Sequence, residues 1–543
     1  MLSDKFSSTN RQMAVLLAML RNFSEGEPTC LTVTHLDSLV PARRGAVSAV
    51  SQSGQSGLHL VLDQCGTLYD QIARAIRSAI LEGRIVAGYR LPSTRTFAAA
   101  LGVSRKSVLQ AYELLCAEGL AVARGGSGTR VADLTPAAKS SSGISVVRAS
   151  RYTTRLRELP AVSLAGALRG GRLKYDLRNG EPLVEPALFH SWRRKLAAAA
   201  LRAGSTYPRA EGHLPLCRAI AGYLGRYRGI ICEPSDVLVV GGTQQALTII
   251  ERVLLDPGDQ VVIEDPHYEL ALYSLLAHGA HVTHVRTDHD GLIVSDLPQQ
   301  ATRLTLVTPS HQFPSGVVMT TIRRLELLEW AARTDSWIVE DDYNSEFPSG
   351  EQVLPALRSL DLADRVLYVG SFSKSLFPAL RLGYIVCPKS IRHDLYRAKW
   401  MDDLGSSVVE QAALAAFIQN GQYANYLNKS VKEIANRRRA VVEALKSLPD
   451  AHIEIGAHQG GTNLLVWFCN LGFDQFSRLI ERAESLGLGL EPVDRYYHTR
   501  PSRPGLLIGY GGLSVGQLRY AIELLGRCLS HEQSAGKASS ARA

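Results

Sequence analysis

Apolar positions recur with helical spacing between Leu68 and Leu81. Leu68, Ile72, Ala75, Ile76, Ala79 and Ile80 fall on one face, so the spacing predicts a helix that buries one side. Gly83 ends it. Gly88-Tyr-Arg-Leu-Pro92 reads as a turn, and Ser93 is placed to cap a short helix over Thr94–Leu101. Gly102-Val103 makes a tight turn. Ser104 caps a longer helix over Arg105–Glu118, with Val108, Ala111, Tyr112 and Leu115 facing inward, and Gly119 stops it. Val122–Val131 then reads as two short strands around a glycine-rich tip. Two helices joined by a glycine-containing turn and followed by a hairpin describe a winged helix-turn-helix.

The pattern changes further on. From about Tyr175 to Leu529, short apolar runs alternate with helical stretches: Val237–Val240, Gln260–Glu264, Leu304–Thr308, Trp337–Glu340, Val366–Gly370 and Gly383–Cys387. Such alternation indicates an α/β domain on a mostly parallel sheet. Residues 1–57 show no sustained period and read as a flexible leader. Residues 134–170, with Ser, Ala, Pro136 and Gly143, suit a linker. The division expected is leader 1–57, small DNA-binding-type unit 58–133, linker 134–170, large unit 171–530 and a disordered tail 531–543.

Composition narrows the class. At 543 residues, 45% hydrophobic and 20% charged, the chain is an ordinary folded protein rather than a disordered or fibrous one. No apolar run approaches the roughly 18 residues that span a bilayer. Met13–Leu20 has no small-residue cleavage site after it, so a cytoplasmic location is expected. The eight cysteines are scattered without a C-x-x-C pair, which points to reduced thiols and no metal site. A net charge of +9 permits a nucleic-acid partner without demanding one.

That charge is locally concentrated. Ser93–Arg130 holds five basic residues, at 95, 105, 106, 124 and 130, against two glutamates. Arg105 and Lys106 occupy the first turn of the second helix, where side chains reach base edges. Arg124 stands at the wing tip, where Gly125 and Gly126 let the backbone approach a phosphate. A solvated basic face on a packing module fits the same pattern. Leu91–Arg95 ("Leu-Pro-Ser-x-Arg"), Gly102–Arg105 ("Gly-Val-Ser-Arg") and Gly126–Thr129 ("Gly-Ser-Gly-Thr") nevertheless occur in order, and Leu68–Val131 resembles the GntR family of bacterial DNA-binding domains. The resemblance implies that Arg95 contacts the DNA backbone, that Ser104, Arg105 and Lys106 open the helix in the major groove, and that the wing with Arg124 and Gly126 lies in the adjacent minor groove.

The chemistry of the large unit centres on Tyr368–Gly383. A strand there leads into Ser371-Phe-Ser-Lys374, and Arg381 follows. Upstream, Ile338–Tyr343 is a strand ending in carboxylates and a phenol. Val237–Val240 opens through Gly241-Gly242-Thr243-Gln244 into a helix, a natural anion site. Pyridoxal phosphate needs such a set: a lysine for the imine, an acid on the ring nitrogen and a phosphate cup. Lys374 would be the imine lysine, Asp341 the nitrogen partner and Tyr343 the hydrogen bond to the 3′-oxygen. Gly242, Thr243, Gln244, Ser371, Ser373 and Arg381 would hold the phosphate, and Tyr268 would stack on the ring. Taken singly, each motif also suits an ordinary loop, turn or core position.

"Asp-x-Tyr" at Asp341 and Tyr343 and "Ser-x-x-Lys" at Ser371 and Lys374 resemble the class I, fold-type I aminotransferases. The resemblance implies a small C-terminal α+β subdomain and a homodimer. Two positions depart from that family. Its asparagine near the 3′-oxygen becomes Phe313, and its late carboxylate-binding arginine falls near Leu507, with Arg495, Arg500 and Arg503 as alternatives in the preceding loop. Partial or absent transaminase turnover is therefore expected. Both halves together, with Thr308–Gly316 and Glu340–Phe347, resemble the MocR/GabR group of bacterial transcriptional regulators. That resemblance implies promoter DNA and a small amino compound as partners, the latter sensed through Lys374. A working aminotransferase with a DNA-binding appendage is the other function the residues allow, and steady turnover would favour it.

Overall fold

The computed structural model describes residues 60, 62–63, 66–124, 128–133, 148–160, 173–178, 182–183, 186–348, 355–448, 453–456 and 460–540. The expected leader, 1–57, lies outside them. The chain divides into two units between Val146 and Val147.

In the first unit, α1 (Leu68–Leu81), α2 (Thr94–Leu101) and α3 (Arg105–Ala117) precede an antiparallel hairpin, β1 (Ala121–Arg124) and β2 (Gly128–Val131). The caps are those the sequence predicts. Ser93 Oγ accepts from Thr96 N at 3.1 Å and Ser104 Oγ from Ser107 N at 3.1 Å, each satisfying an otherwise orphaned amide. Gly102 ends α2 at φ 66°, a left-handed conformation that costs glycine nothing. Ile72, Ile76, Val108, Ala111 and Leu115 are fully buried, and each large aliphatic among them contributes about 1.5–3 kcal/mol. Tyr112 ties the core to the turn by donating to Pro92 O at 2.9 Å.

The second unit carries α4 (Arg151–Glu158), β3 (Tyr175–Asp176), α5 (Pro186–Ala200), α6 (Leu214–Tyr227), β4 (Val237–Val240), α7 (Thr243–Leu254), β5 (Gln260–Asp265), α8 (Glu269–His278), β6 (His281–Asp288), β7 (Gly291–Leu292), β8 (Leu304–Val307), α9 (Thr321–Thr334), β9 (Trp337–Asp342), α10 (Leu357–Leu360), β10 (Val366–Ser371) and β11 (Gly383–Val386). It ends with α11 (Arg392–Asp403), α12 (Val408–Gln419), α13 (Gln422–Lys446), β12 (Ile453–Ile455), β13 (Asn463–Phe468), α14 (Phe473–Ser485), β14 (Leu488–Gly489), β15 (Gly505–Gly509) and α15 (Val515–Ser540).

Eight strands form the main sheet in the order β4-β11-β10-β9-β8-β5-β6-β7. β10, β9, β8, β5 and β6 pair in parallel, while β11 runs antiparallel to both β10 and β4. β4, β8 and β10 are buried at every position, on both faces, in keeping with their mostly apolar sequences. β12, β13 and β15 make a separate antiparallel sheet. It packs with α13, α14 and α15 around Val466, Leu479, Leu506, Ile508 and Leu525.

Two expectations change. The linker contains a helix, α4, capped by Ser150. Arg155 donates to the carbonyls of Ala277 at 2.8 Å and His278 at 2.7 Å, so it satisfies two acceptors at the end of α8. A methyl on Gly279 would stand 2.9 Å from that guanidinium. The expected disordered tail is helical through Ser540. Cys528 and Leu529 are buried, and Glu532, also buried, pairs with Arg478 at 3.0 Å, so packing carries the helix past residue 530. Residues 541–543 lie outside the described residues.

Candidate functional site

The parallel strands bring the predicted residues of the large unit to one edge. Asp341 pairs with Val369 and Asp342 with Gly370, so Ser371 ends the strand that lies beside Asp341 and Lys374 follows just beyond it. β11 sets Gly383 against Val240, which places Arg381 beside the β4–α7 turn. Tyr268 caps the start of α8 just after β5. Thus Gly242, Thr243, Gln244, Tyr268, Asp341, Tyr343, Ser371, Ser373, Lys374 and Arg381 all lie at carboxyl ends of sheet strands or in the loops leaving them, the usual ligand crevice of an open α/β sheet.

The β4–α7 turn is an anion cradle. Gly242 has φ 108° and begins α7, whose first amides have no intrahelical acceptor. A side chain at Gly242 would meet the Arg381 guanidinium at 3.2–3.4 Å. Arg381 itself adopts φ 51°, a left-handed conformation uncommon for residues other than glycine. Gly383 cannot carry a Cβ either, since that atom would sit 2.8 Å from Gly370 O and 3.0 Å from Gly242 Cα. Ser371 Oγ accepts from Ser373 N at 3.2 Å and bonds Ser373 Oγ at 3.0 Å, which holds the hydroxyl turn together.

Neighbouring acids behave differently because side chains alternate across a strand. Asp342 is locked by Arg228 at 2.7 Å and by the Tyr368 hydroxyl at 2.6 Å, all three buried. Asp341 is buried with Oδ1 unpartnered, and burial, then Asp342 and Glu264, push its carboxyl up to about 7. Tyr343 Oη and Gln244 Oε1 are also buried without a partner. Buried polar atoms are normally bonded, so three orphans around one crevice mark a place for a polar ligand. Burial lowers the Lys374 amine to about 8, with Glu491 opposing the shift. The neutral, nucleophilic share of that amine near physiological pH is therefore a minority, yet far larger than for an ordinary lysine.

Sequence reasoning missed several residues here. Arg228, which neutralises Asp342, comes from the end of α6 with no local motif to announce it. Phe313, noted in the sequence only as a departure from the aminotransferase pattern, fills the aromatic wall, edge-on to Tyr268 at 5.9 Å and Tyr343 at 5.8 Å. Glu264 accepts from Thr308 Oγ1 at 2.6 Å and Thr308 N at 3.1 Å. Elsewhere, among the described residues, Asp288, His289 and Asp290 bring potential metal-ligand atoms together, and Asp288 pairs with Arg323.

In the small unit, Arg95, Ser104, Arg105 and Lys106 are exposed. Arg105 Nε donates to Thr94 Oγ1 at 3.3 Å, so it spans the turn between α2 and α3. Arg124 ends β1, paired in register with Gly128. Gly126 lies outside the described residues. Arg90, unremarked in the sequence, is exposed and lays its guanidinium 3.2 Å from where a Gly128 Cβ would be, adding a cation beside the wing.

Comparison with known proteins matches both regions. Residues 174–484 match the family "Aminotransferase class I and II", and residues 68–131 match "Bacterial regulatory proteins, gntR family". The chain is 35% identical over 473 residues to the probable rhizopine catabolism regulatory protein MocR of Rhizobium meliloti, covering 86% of this chain and 95% of that one. It is 31% identical to the HTH-type transcriptional regulator TauR of Rhodobacter capsulatus, covering 86% and 97%. Among solved structures it resembles a Pyrococcus horikoshii kynurenine aminotransferase, with 26% identity, a TM-score of 0.63, and coverage of 69% of this chain and 96% of that one.

Proposed function

The chain belongs to the family of HTH-type transcriptional regulators that join a GntR-family DNA-binding domain to an aminotransferase class I and II domain, and from that premise we propose that it controls transcription in response to an amino compound met at its cofactor site. Its cofactor is pyridoxal 5′-phosphate. The crevice fits that group. The Gly242–Arg381 cradle suits a dianionic phosphate, and unpartnered Asp341 suits a protonated ring nitrogen. The pyridine ring, when bound, supplies an electron sink and an aldehyde carbon. Lys374 would hold the aldehyde carbon. Tyr343 would donate to the 3′-oxygen. Tyr268 would cover the ring, and Ser371, Ser373, Thr243 and Gln244 would line the phosphate end.

The single observation that carries this reading is that one chain holds both a GntR-type winged helix and a crevice with three orphaned polar atoms beside a low-pKa lysine. Arg95, Ser104, Arg105, Lys106, Arg124 and Gly126 are assigned to DNA, and residues 58–133, 134–170 and 171–530 to the DNA-binding, linker and effector segments. A ligand can shift the regulator only by binding its two states unequally. The test is a map of genomic binding sites with and without candidate amines, for wild type and for Lys374→Ala. Equal response of both proteins to an inducing amine removes the sensing role.

The regulator is proposed to act as a cytoplasmic homodimer, so that two winged helices read paired half-sites. Exposed Tyr207, Trp400, Met401 and Leu404 support this. They lie on adjoining segments, because a Cβ on Gly405 would stand 2.8 Å from Pro208, and such an apolar patch marks an interaction surface. A monomer in sedimentation at micromolar concentration removes the dimer. Among the described residues no helix is long and apolar enough to cross a membrane.

A further inference from the structure

Helix α8 meets the cofactor crevice at one end and the linker at the other. Tyr268 stands at its N-cap, where Ala271 N and Leu272 N donate to Tyr268 O at 3.1 and 3.2 Å. The ten residues from Glu269 to His278 carry the axis about 15 Å further. There the last carbonyls have no intrahelical donor. Arg155 of α4 takes two of them, Ala277 O at 2.8 Å through Nε and His278 O at 2.7 Å through Nη2. Gly279, at φ 105°, leaves the room, since a Cβ there would stand 2.9 Å from Arg155 Cζ. A cation at this end also meets the negative pole of the helix.

Burial does little to hold α4. It is eight residues long, capped by Ser150, and buries no side chain. Thr153 and Arg155 are half-buried and the rest exposed, Tyr152 and Leu156 among them. So short a helix does not persist in water by itself, and its order depends on the end of α8 being in place. α8 in turn is seated on α7, the helix that opens in the anion cradle. Gln244 Nε2 donates to Leu270 O at 3.5 Å, Ser274 Oγ to the buried Glu251 side chain at 2.8 Å, and His278 Nε2 to Leu255 O at 2.9 Å.

A ring covered by Tyr268 and a linker held by Arg155 act on the two ends of one short helix. Two ligands of the same seated state strengthen each other, and by equal factors. We propose that Arg155 is a positioning residue for the cofactor, seating α8 from its far end, so that linker docking and cofactor binding are one coupled equilibrium. This rests on the reading that Tyr268 covers the ring. The linker leads along the chain to the DNA-binding unit, so the coupling carries the state of the crevice to the tether of the winged helix.

Hydrogen–deuterium exchange of the α4 peptide and equilibrium dialysis of pyridoxal phosphate test it, both on the full-length chain. In wild type, loading the cofactor is expected to slow exchange of α4 at least about fivefold, and Arg155→Ala is expected to weaken the cofactor by a similar factor. Exchange in the separate sheet of β13 and β15 is expected to stay as in wild type. Tyr268→Ala is expected to bind the cofactor more weakly and to lose its effect on α4. Unchanged α4 exchange on loading, or unchanged cofactor affinity in Arg155→Ala, overturns the coupling and leaves Tyr268 over the ring. Faster exchange of β13 and β15 in Arg155→Ala overturns it too, since a general loosening of the fold then explains the weaker binding. Full cofactor affinity in Tyr268→Ala overturns the ring reading and the coupling together.

Discussion

Arg105 and Arg228 carry the same charge and are put to opposite uses. Arg105 stands exposed at the first turn of α3, with a 3.3 Å bond to Thr94. Arg228 is buried in a pair with Asp342. An exposed guanidinium keeps its hydration until a phosphate or base displaces it, so it acts at long range and fades with salt. A buried one has no water to return to, so removing either partner leaves an uncompensated charge. The small unit thus spreads its chemistry over a solvated face, and the large unit concentrates it in a crevice where burial moves protonation equilibria.

The sharpest break of that contrast is at Lys374. In Lys374→Ala, borohydride should trap no cofactor on the chain and the yellow colour should vanish, while DNA binding persists. A trapped label on another lysine moves the site. Next, Asp341→Ala should weaken cofactor binding by about 3 kcal/mol, because the ring nitrogen loses a buried counter-charge. Equilibrium dialysis measures it, and an unchanged affinity removes Asp341 from the ring.

Effects on the solvated face should be smaller. Arg105→Ala should cost about 1–3 kcal/mol on the specific site and relax its sequence preference. Arg124→Ala should weaken binding to every sequence alike and lower the salt slope by about 1. Fluorescence anisotropy at several salt concentrations separates the two, and identical behaviour would merge their roles.

The smallest effect is one of pH. Asp341, raised to about 7, binds its proton more tightly folded than unfolded, so it costs the apoprotein stability as pH rises from about 4 to about 7. Lys374, lowered to about 8, gives up its proton more readily, so cofactor incorporation should speed up as pH passes through about 8 and then level off. A stopped-flow rate that is flat from pH 6.5 to 9 contradicts this. Denaturation of apo Asp341→Asn should show a shallower loss of stability between pH 4 and 7 than wild type.

Much of both units was legible because it depends on neighbours in the chain. Ser93 and Ser104 announced their helices through capping chemistry, and α2 spans the residues expected, Thr94–Leu101. Val237–Val240 has the bounds expected, while other sheet strands end one or two residues away from them, as with Trp337–Asp342 in place of Trp337–Glu340, because a ladder stops where its partner stops. α4 escaped notice because the contacts that hold it, Arg155 on Ala277 and His278, are 122 and 123 residues away. The helical continuation of α15 was hidden likewise, since Glu532 is fixed by Arg478.

By itself the sequence determined the order of elements, the winged-helix motif and which residues could serve a pyridoxal phosphate site, since periodicity, capping and strand-end motifs act over a few residues. The tertiary structure alone decided that Asp342 and not Asp341 is paired with Arg228 and the Tyr368 hydroxyl, that Arg495 pairs with Glu269 and Arg503 with Glu454, and that burial lowers the Lys374 amine. Those outcomes depend on which distant charges and rings burial brings together, and no local pattern encodes them.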